Sequence, residues 1–196
     1  MNHEVLQETS IQKFKRKMHS SMEKQNDTLI LGVGNYLMGD EGLGVHVARE
    51  LEKEIASNLA DVLDGGTAGF QLMEYIESYP RIILIDATLD NKPAGTIRLI
   101  RPRFASDFPK AMSTHEIGLK DLVESLTLLD KLPDIYLFVV SVNSIQPLSV
   151  DLSPEVRAAL PELKRRILDL CCKPAKSIVK QELPDVFGSS CLPLFF

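Results

Sequence analysis

Residues Thr28–Val47, TLILGVGNYLMGDEGLGVHV, constrain the fold more than any other stretch. A short apolar run, Leu29, Ile30, Leu31 and Val33, is interrupted by Gly32 and Gly34. A second glycine cluster follows with two acids inside it: Gly39, Asp40, Glu41, Gly42 and Gly44. Leu43, Val47, Leu51 and Ile55 then recur every four residues, the spacing of one helix face. The order is strand, glycine loop, helix, with carboxylates where the helix begins. Open α/β sheets bind their ligands in loops at the carboxyl ends of the strands, so the stretch marks the place to look for a site.

The rest of the chain fits one such domain. Its 196 residues are enough to bury a core, and 44% hydrophobic with 25% charged residues is the balance of a globular protein. A net charge of −5 argues against a nucleic-acid partner. No apolar run approaches the ~18 residues that a membrane span needs. The three cysteines, Cys171, Cys172 and Cys191, lie close to the end of the chain and form no CxxC pair, so no disulfide framework is expected and the cytoplasm is the expected location.

Residues 1–27 are polar and basic, lack the apolar core of a secretory signal, and read as a flexible tail. Asp61–Gly66 reads as a second strand, Gly69–Ser78 as a short amphipathic helix, and Arg81–Ala87 (RIILIDA) as a strand buried on both faces. Turn chemistry at Asp90–Gly95 precedes a strand at Thr96–Ile100. Ser113 or Thr114 suits the N-cap of a helix carrying Leu119, Leu122, Val123 and Leu126. Asp134–Val142 is another strand. Ser153 followed by Pro154 opens a last helix, which Pro161 is expected to kink or restart. This divides the chain into a tail, 1–27, an α/β domain, 28–172, and a C-terminal tail, 173–196.

Three carboxylate-bearing loops fall at the same relative place. Asp40 and Glu41 follow the first strand, Asp64 ends the second, and Asp86 ends the third. If the first strand lies between the other two, the switch point falls between strands one and three, where neighbours are about 4.8 Å apart. Crowded carboxylates repel unless a cation joins them, and oxygen ligands with one imidazole suit several divalent ions. His115, opening a helix beyond the sheet, is the histidine best placed to contribute. Alone, Glu41 reads equally well as a helix N-terminal charge, and a lone histidine is more often structural than a ligand. A charge directly after RIILI has fewer bland explanations. The glycines themselves match neither GxGxxG, since Leu37 stands at the third position, nor a P-loop, since no GK[ST] follows.

The four blocks LGVGNYLMGDEGLGVHV, LDGGTAGFQL, IILIDA and STHEIGL, in this order, resemble the hydrogenase maturation endopeptidases, which trim the large subunit of nickel–iron hydrogenases. The likeness runs from about Thr28 to Leu170. It implies a three-layer α/β fold: a twisted, mostly parallel five-stranded sheet with one antiparallel strand, for which Thr96–Ile100 is the candidate, and helices on both faces. It also implies that Glu41, Asp86 and His115 bind nickel. Asp64 falls on the aspartate of the family's DGGT block, as a residue that either supports the metal ligands from behind or positions substrate, and Asp40 on the acid beside the metal ligand.

What the resemblance implies about function is removal of the C-terminal extension of a large-subunit precursor after nickel insertion. The nickel would be supplied chiefly by the precursor, although other divalent ions can suit the same ligands. No GxSxG elbow and no cysteine–histidine pair stands near the site. Water activation by the metal and general-base catalysis by Glu41, Asp86, Asp64 or Asp40 both stay open. A non-proteolytic nickel-binding or scaffolding factor in hydrogenase assembly is the alternative. A monomer without nucleic-acid or membrane partners is expected.

Overall fold

The computed structural model describes residues 11–12, 26–102, 104–108 and 116–173. His115, the caps expected at Ser113 or Thr114, and nearly all of both expected tails lie outside the described residues. Five strands form one sheet: β1 (Thr28–Val33), β2 (Asp61–Gly66), β3 (Arg81–Thr88), β4 (Ile97–Ile100) and β5 (Asp134–Ser141). Among the described residues these α-helices accompany them: α1 (Leu43–Glu54), α2 (Met73–Ser78), α3 (Glu116–Leu128) and α4 (Pro154–Cys171).

The sheet order is β2-β1-β3-β5-β4. β1, β2, β3 and β5 are parallel, and β4 runs antiparallel on the β5 edge. The mostly parallel sheet with one reversed strand at Ile97–Ile100 is therefore as the sequence led us to expect. β1 and β3 are neighbours from which the chain departs in opposite directions, so the switch point lies between their carboxyl ends.

Strand alternation divides the core into two layers. Ile30, Val62, Ile83, Ile85, Tyr136 and Phe138 face α1 and α4. Leu29, Leu31, Leu63, Ile82, Leu84, Leu137 and Val139 face α2 and α3. The runs look uniformly apolar in sequence because both faces are covered. On the first layer α1 lies unusually close to the sheet. A Cβ at Gly32 would collide with the Gly44 carbonyl, and one at Gly44 with the carbonyls of Ile85 and Val33. Those two glycines let the first turn of α1 rest on the seam between β1 and β3.

Two sequence expectations are modified. The helix expected over Gly69–Ser78 begins as a 3₁₀ turn, Gly69–Leu72, before α2, and leaves Phe70 exposed. Pro161 does not restart the last helix, because α4 runs unbroken from Pro154 to Cys171. The ring sits on the exposed side, while Val156, Leu160, Leu163, Ile167 and Leu170 hold both halves to the core. Among the described residues, no helix is long and apolar enough to cross a membrane.

At the amino-terminal edge of the sheet, the buried Arg81 of β3 caps the far end of α4. Its Nη1 donates to the carbonyls of Lys173 at 2.9 Å and Leu170 at 3.3 Å. A cation there also complements the negative end of the helix dipole. Arg81→Met should therefore cost about 2 kcal/mol. It should be read as a lower urea midpoint with an unchanged denaturant slope.

Candidate functional site

The chain leaves β1 through Gly34 and closes a 3₁₀ turn, Gly39–Gly42, before α1 begins at Leu43. This turn buries both of its acids: Asp40 and Glu41 are each only 1% exposed. Asp86, near the carboxyl end of β3, is 3% exposed and accepts the Ala87 N–H at 2.8 Å. Three almost completely buried carboxylates thus surround the switch point. Burying even one ionised carboxylate costs several kcal/mol unless hydrogen bonds or a cation compensate.

The fold gives the acids different surroundings. Asp40 is an anchor. Its Oδ1 accepts the Ser153 N–H at 2.7 Å, and its Oδ2 accepts the Gln146 side-chain amide at 3.1 Å. Gln146 Oε1 in turn accepts the Asp40 N–H at 2.9 Å. Both oxygens are engaged in joining the β1–α1 turn to the β5–α4 loop. Ser153 stands at the N-cap position anticipated from sequence, but its hydroxyl makes no capping bond.

Asp64 and Asp86 lie on opposite faces of the sheet. Gly32 is in register with both Asp64 and Ile85, and Ile85 faces α1. Asp64 shares that face and pairs with Arg49 of α1, Oδ2 to Nε at 2.8 Å, while Oδ1 accepts the Gly66 N–H at 3.1 Å. The Arg49 guanidinium lies over the Tyr36 ring, 4.1 Å from its centroid, and Tyr36 in turn packs on His46. Asp86, one residue past Ile85, falls by alternation on the side of α2 and α3. The end of α3 leads into the amino end of β5, so its beginning at Glu116 lies toward the carboxyl edge that holds Asp86. His115 directly precedes that helix in the chain. Among the described residues, no group of three or more histidine, cysteine or acidic side chains could hold a metal ion. The described part of the expected ligand set is the pair Glu41 and Asp86, whose all-oxygen chemistry fits a divalent cation completed by an imidazole.

Among the described residues, Cys171 and Cys172 close the last helix and take no part. Cys171 sits at the opposite edge, and burial pushes its thiol up to about 11, which keeps it protonated and a poor nucleophile.

The comparisons with known proteins bear on the family and the fold. The family model for hydrogenase maturation proteases matches residues 45–170. The chain belongs to the hydrogenase maturation protease family. It is 33% identical over 144 residues to the hydrogenase 2 maturation protease of Escherichia coli, an alignment covering 71% of this chain and 87% of the relative. It is 32% identical over 160 residues to the hydrogenase expression/formation protein HupD of Bradyrhizobium diazoefficiens, covering 76% and 78%. Among solved structures, the hydrogenase maturating endopeptidase HybD of E. coli superposes with a TM-score of 0.66 at 30% identity, covering 73% of this chain and 90% of that one. HybD of Thermococcus kodakarensis gives a TM-score of 0.62 at 28% identity, covering 74% and 98%. The match to the family model takes in Asp64, Asp86 and His115 but begins just after Glu41.

Sequence reasoning singled out the acids but not the residues that hold their loops. Gln146 was hidden because its partner, Asp40, lies 106 positions away. Arg49 was hidden because a half-exposed arginine on a helix gives no local signal.

Two measurements test this architecture. A Cβ at Gly34, which sits at φ +130°, would collide with the Glu41 carbonyl, whereas one at Gly69, φ +52°, would meet nothing within 4 Å. Gly34→Ala should cost roughly 2–4 kcal/mol and Gly69→Ala only about 1 kcal/mol in chemical denaturation. His46 provides the second test. Burial is the main influence lowering its pKa, a hydrogen bond to the Val150 backbone opposes this, and Arg49 adds to the lowering. The unfolded chain therefore binds the proton first, and stability contributed by neutral His46 is lost as pH falls from 6.5 toward the depressed native value. Melting temperature should fall on acidification from about pH 7 to about 5.5, and His46→Gln should flatten that slope.

Proposed function

We propose that this protein is the endopeptidase that removes the C-terminal extension of a nickel–iron hydrogenase large-subunit precursor once nickel has been inserted. The observation that carries the reading is the burial of Glu41 and Asp86 at the carboxyl ends of the neighbouring strands β1 and β3, in a chain of this protease family. The names of its relatives, a hydrogenase 2 maturation protease and a maturating endopeptidase, support the same substrate class.

In this reading nickel arrives with the precursor and is part of the substrate. Glu41, Asp86 and His115 complete its coordination, so that a precursor without nickel is not seated. A bound divalent ion supplies Lewis acidity toward the scissile carbonyl. Hydrolysis also needs a base to take the proton of the attacking water and return it to the departing amine. Glu41 and Asp86 are the acids at the crevice that can do this. Asp40 and Asp64, whose carboxylates are committed to Gln146, Ser153, Arg49 and Gly66, position the turn and the neighbouring strand. The protein acts as a monomer in the cytoplasm.

Incubation with nickel-loaded and nickel-free precursor, read by intact mass, tests this directly. A C-terminal peptide should be lost from the loaded precursor only. Cleavage of both would discard nickel recognition, and tight binding without cleavage would leave a non-proteolytic assembly factor. Glu41→Gln, Asp86→Asn and His115→Gln should each reduce processing by at least about 100-fold while the circular-dichroism spectrum stays native. Normal processing by His115→Gln would remove that residue from the ligand set.

A further inference from the structure

The β5–α4 loop does more than hold the β1–α1 turn. It crosses to that turn through a parallel bridge between Met38 and Ser149, in which Gly39 N–H donates to the Ser149 carbonyl at 2.7 Å and Ser149 N–H to the Leu37 carbonyl at 3.1 Å. Together with the Gln146–Asp40 pair, this fixes residues 146–149 beside the turn that carries Glu41. On this braced loop Leu148 stands 94% exposed at φ +60°. Leucine rarely adopts that backbone, which costs about 1–2 kcal/mol. The loop thus bears local strain while its apolar side chain stays in water, an unfavourable pairing that points to a role outside the folded monomer. The bridge brings Leu37, 57% exposed, alongside, and Val150 is 43% exposed on the same loop.

We infer that Leu148, with Leu37 and Val150, forms the docking subsite for an apolar side chain of the substrate polypeptide next to the scissile bond. This inference rests on the proteolytic reading. Two observations choose the occupant. The patch is tied through backbone hydrogen bonds to the turn that holds Glu41, so whatever it grips lies beside that turn. Three side chains expose a few hundred Å² at most, far less than the ~800 Å² per partner of a stable protein dimer but suited to one extended segment. Leu128, 81% exposed, belongs to α3 close to its exit toward β5, at the other edge of the sheet, and is not part of the subsite.

The test is Leu148→Asn, assayed on nickel-loaded precursor for cleavage kinetics and directly for precursor affinity, with Leu128→Asn as control. Asparagine tolerates the left-handed backbone, so the variant should melt at or above the wild-type temperature. The expected result is a KM and a precursor Kd raised roughly tenfold or more, with kcat retained. Leu128→Asn should match wild type. Unchanged KM and Kd in Leu148→Asn would overturn the subsite, as would a wild-type dimer in sedimentation that this substitution abolishes. Wild-type protein that binds but does not cut would defeat the proteolytic reading alone, and the change in Kd would still decide the subsite. Wild-type protein that neither binds nor cuts would defeat both.

Discussion

The structure depends on the close approach of α1 to the seam between β1 and β3. Gly32 and Gly44 are each faced by a backbone carbonyl where any other residue would place a side chain. A parallel sheet ordinarily keeps a helix a side-chain layer away. Without that layer, the first turn of α1 rests on the strand ends, and the 3₁₀ turn before it is pressed into the switch point. The burial of Asp40 and Glu41 follows from this contact. Two adjacent acids in a surface turn would ordinarily be solvated, and the strand–helix junction denies them water.

Burial then forces a division of labour among the acids. Each ionised carboxylate removed from water needs compensation. Asp40 obtains it from the β5–α4 loop, and Asp64 from Arg49 and the Gly66 amide, so both convert their charge into structure. Opposite-face placement keeps Asp64 away from Asp86, which limits how far the charges at the crevice reinforce one another. Glu41 and Asp86 lie at the crevice, one on a turn and one on a strand. Loops can re-form around a ligand, whereas a strand residue cannot. A cation drawn to this pair would find one ligand fixed by the sheet and the other by a turn that the β5–α4 loop braces.

Much of this was legible in the sequence, for identifiable reasons. The runs at Leu29–Val33, Arg81–Thr88 and Asp134–Ser141 are apolar on both faces, and few structures other than a covered parallel strand explain that. The turn at Asp90–Gly95 marked the break before β4, whereas the reversal of that strand was legible only through the family resemblance. Asp86 was legible because a charge interrupts such a run, although β3 continues past it to Thr88. What stayed hidden depended on distance in the chain or on context. That Asp64 points away from Asp86 requires the register of β1 against both neighbours. The continuity of α4 through Pro161 requires knowing which side of the helix faces solvent. Leu148 looked like an ordinary loop residue, since neither its exposure nor its backbone angle is written in its neighbours.

The bracing of the β5–α4 loop bears on how such a protein could be both selective and sparing. A protease that cuts one bond in one partner has to ignore the many other peptides it meets. Three barely connected signals would serve: a cation site that only a loaded substrate completes, a short apolar grip, and a crevice too narrow for a folded surface. In the proposed reading the first two are mechanically one object, because the Met38–Ser149 bridge and the Asp40–Gln146 pair join the apolar patch to the turn that carries Glu41. A segment that fills the apolar contact without presenting a metal gains little, since a patch of three side chains supplies modest affinity by itself. A segment that presents both engages two contacts on one rigid support, and the second then forms at high effective concentration. Selectivity in this arrangement comes from coupling two weak sites through the loop, and rigidity of the loop is what makes the coupling count.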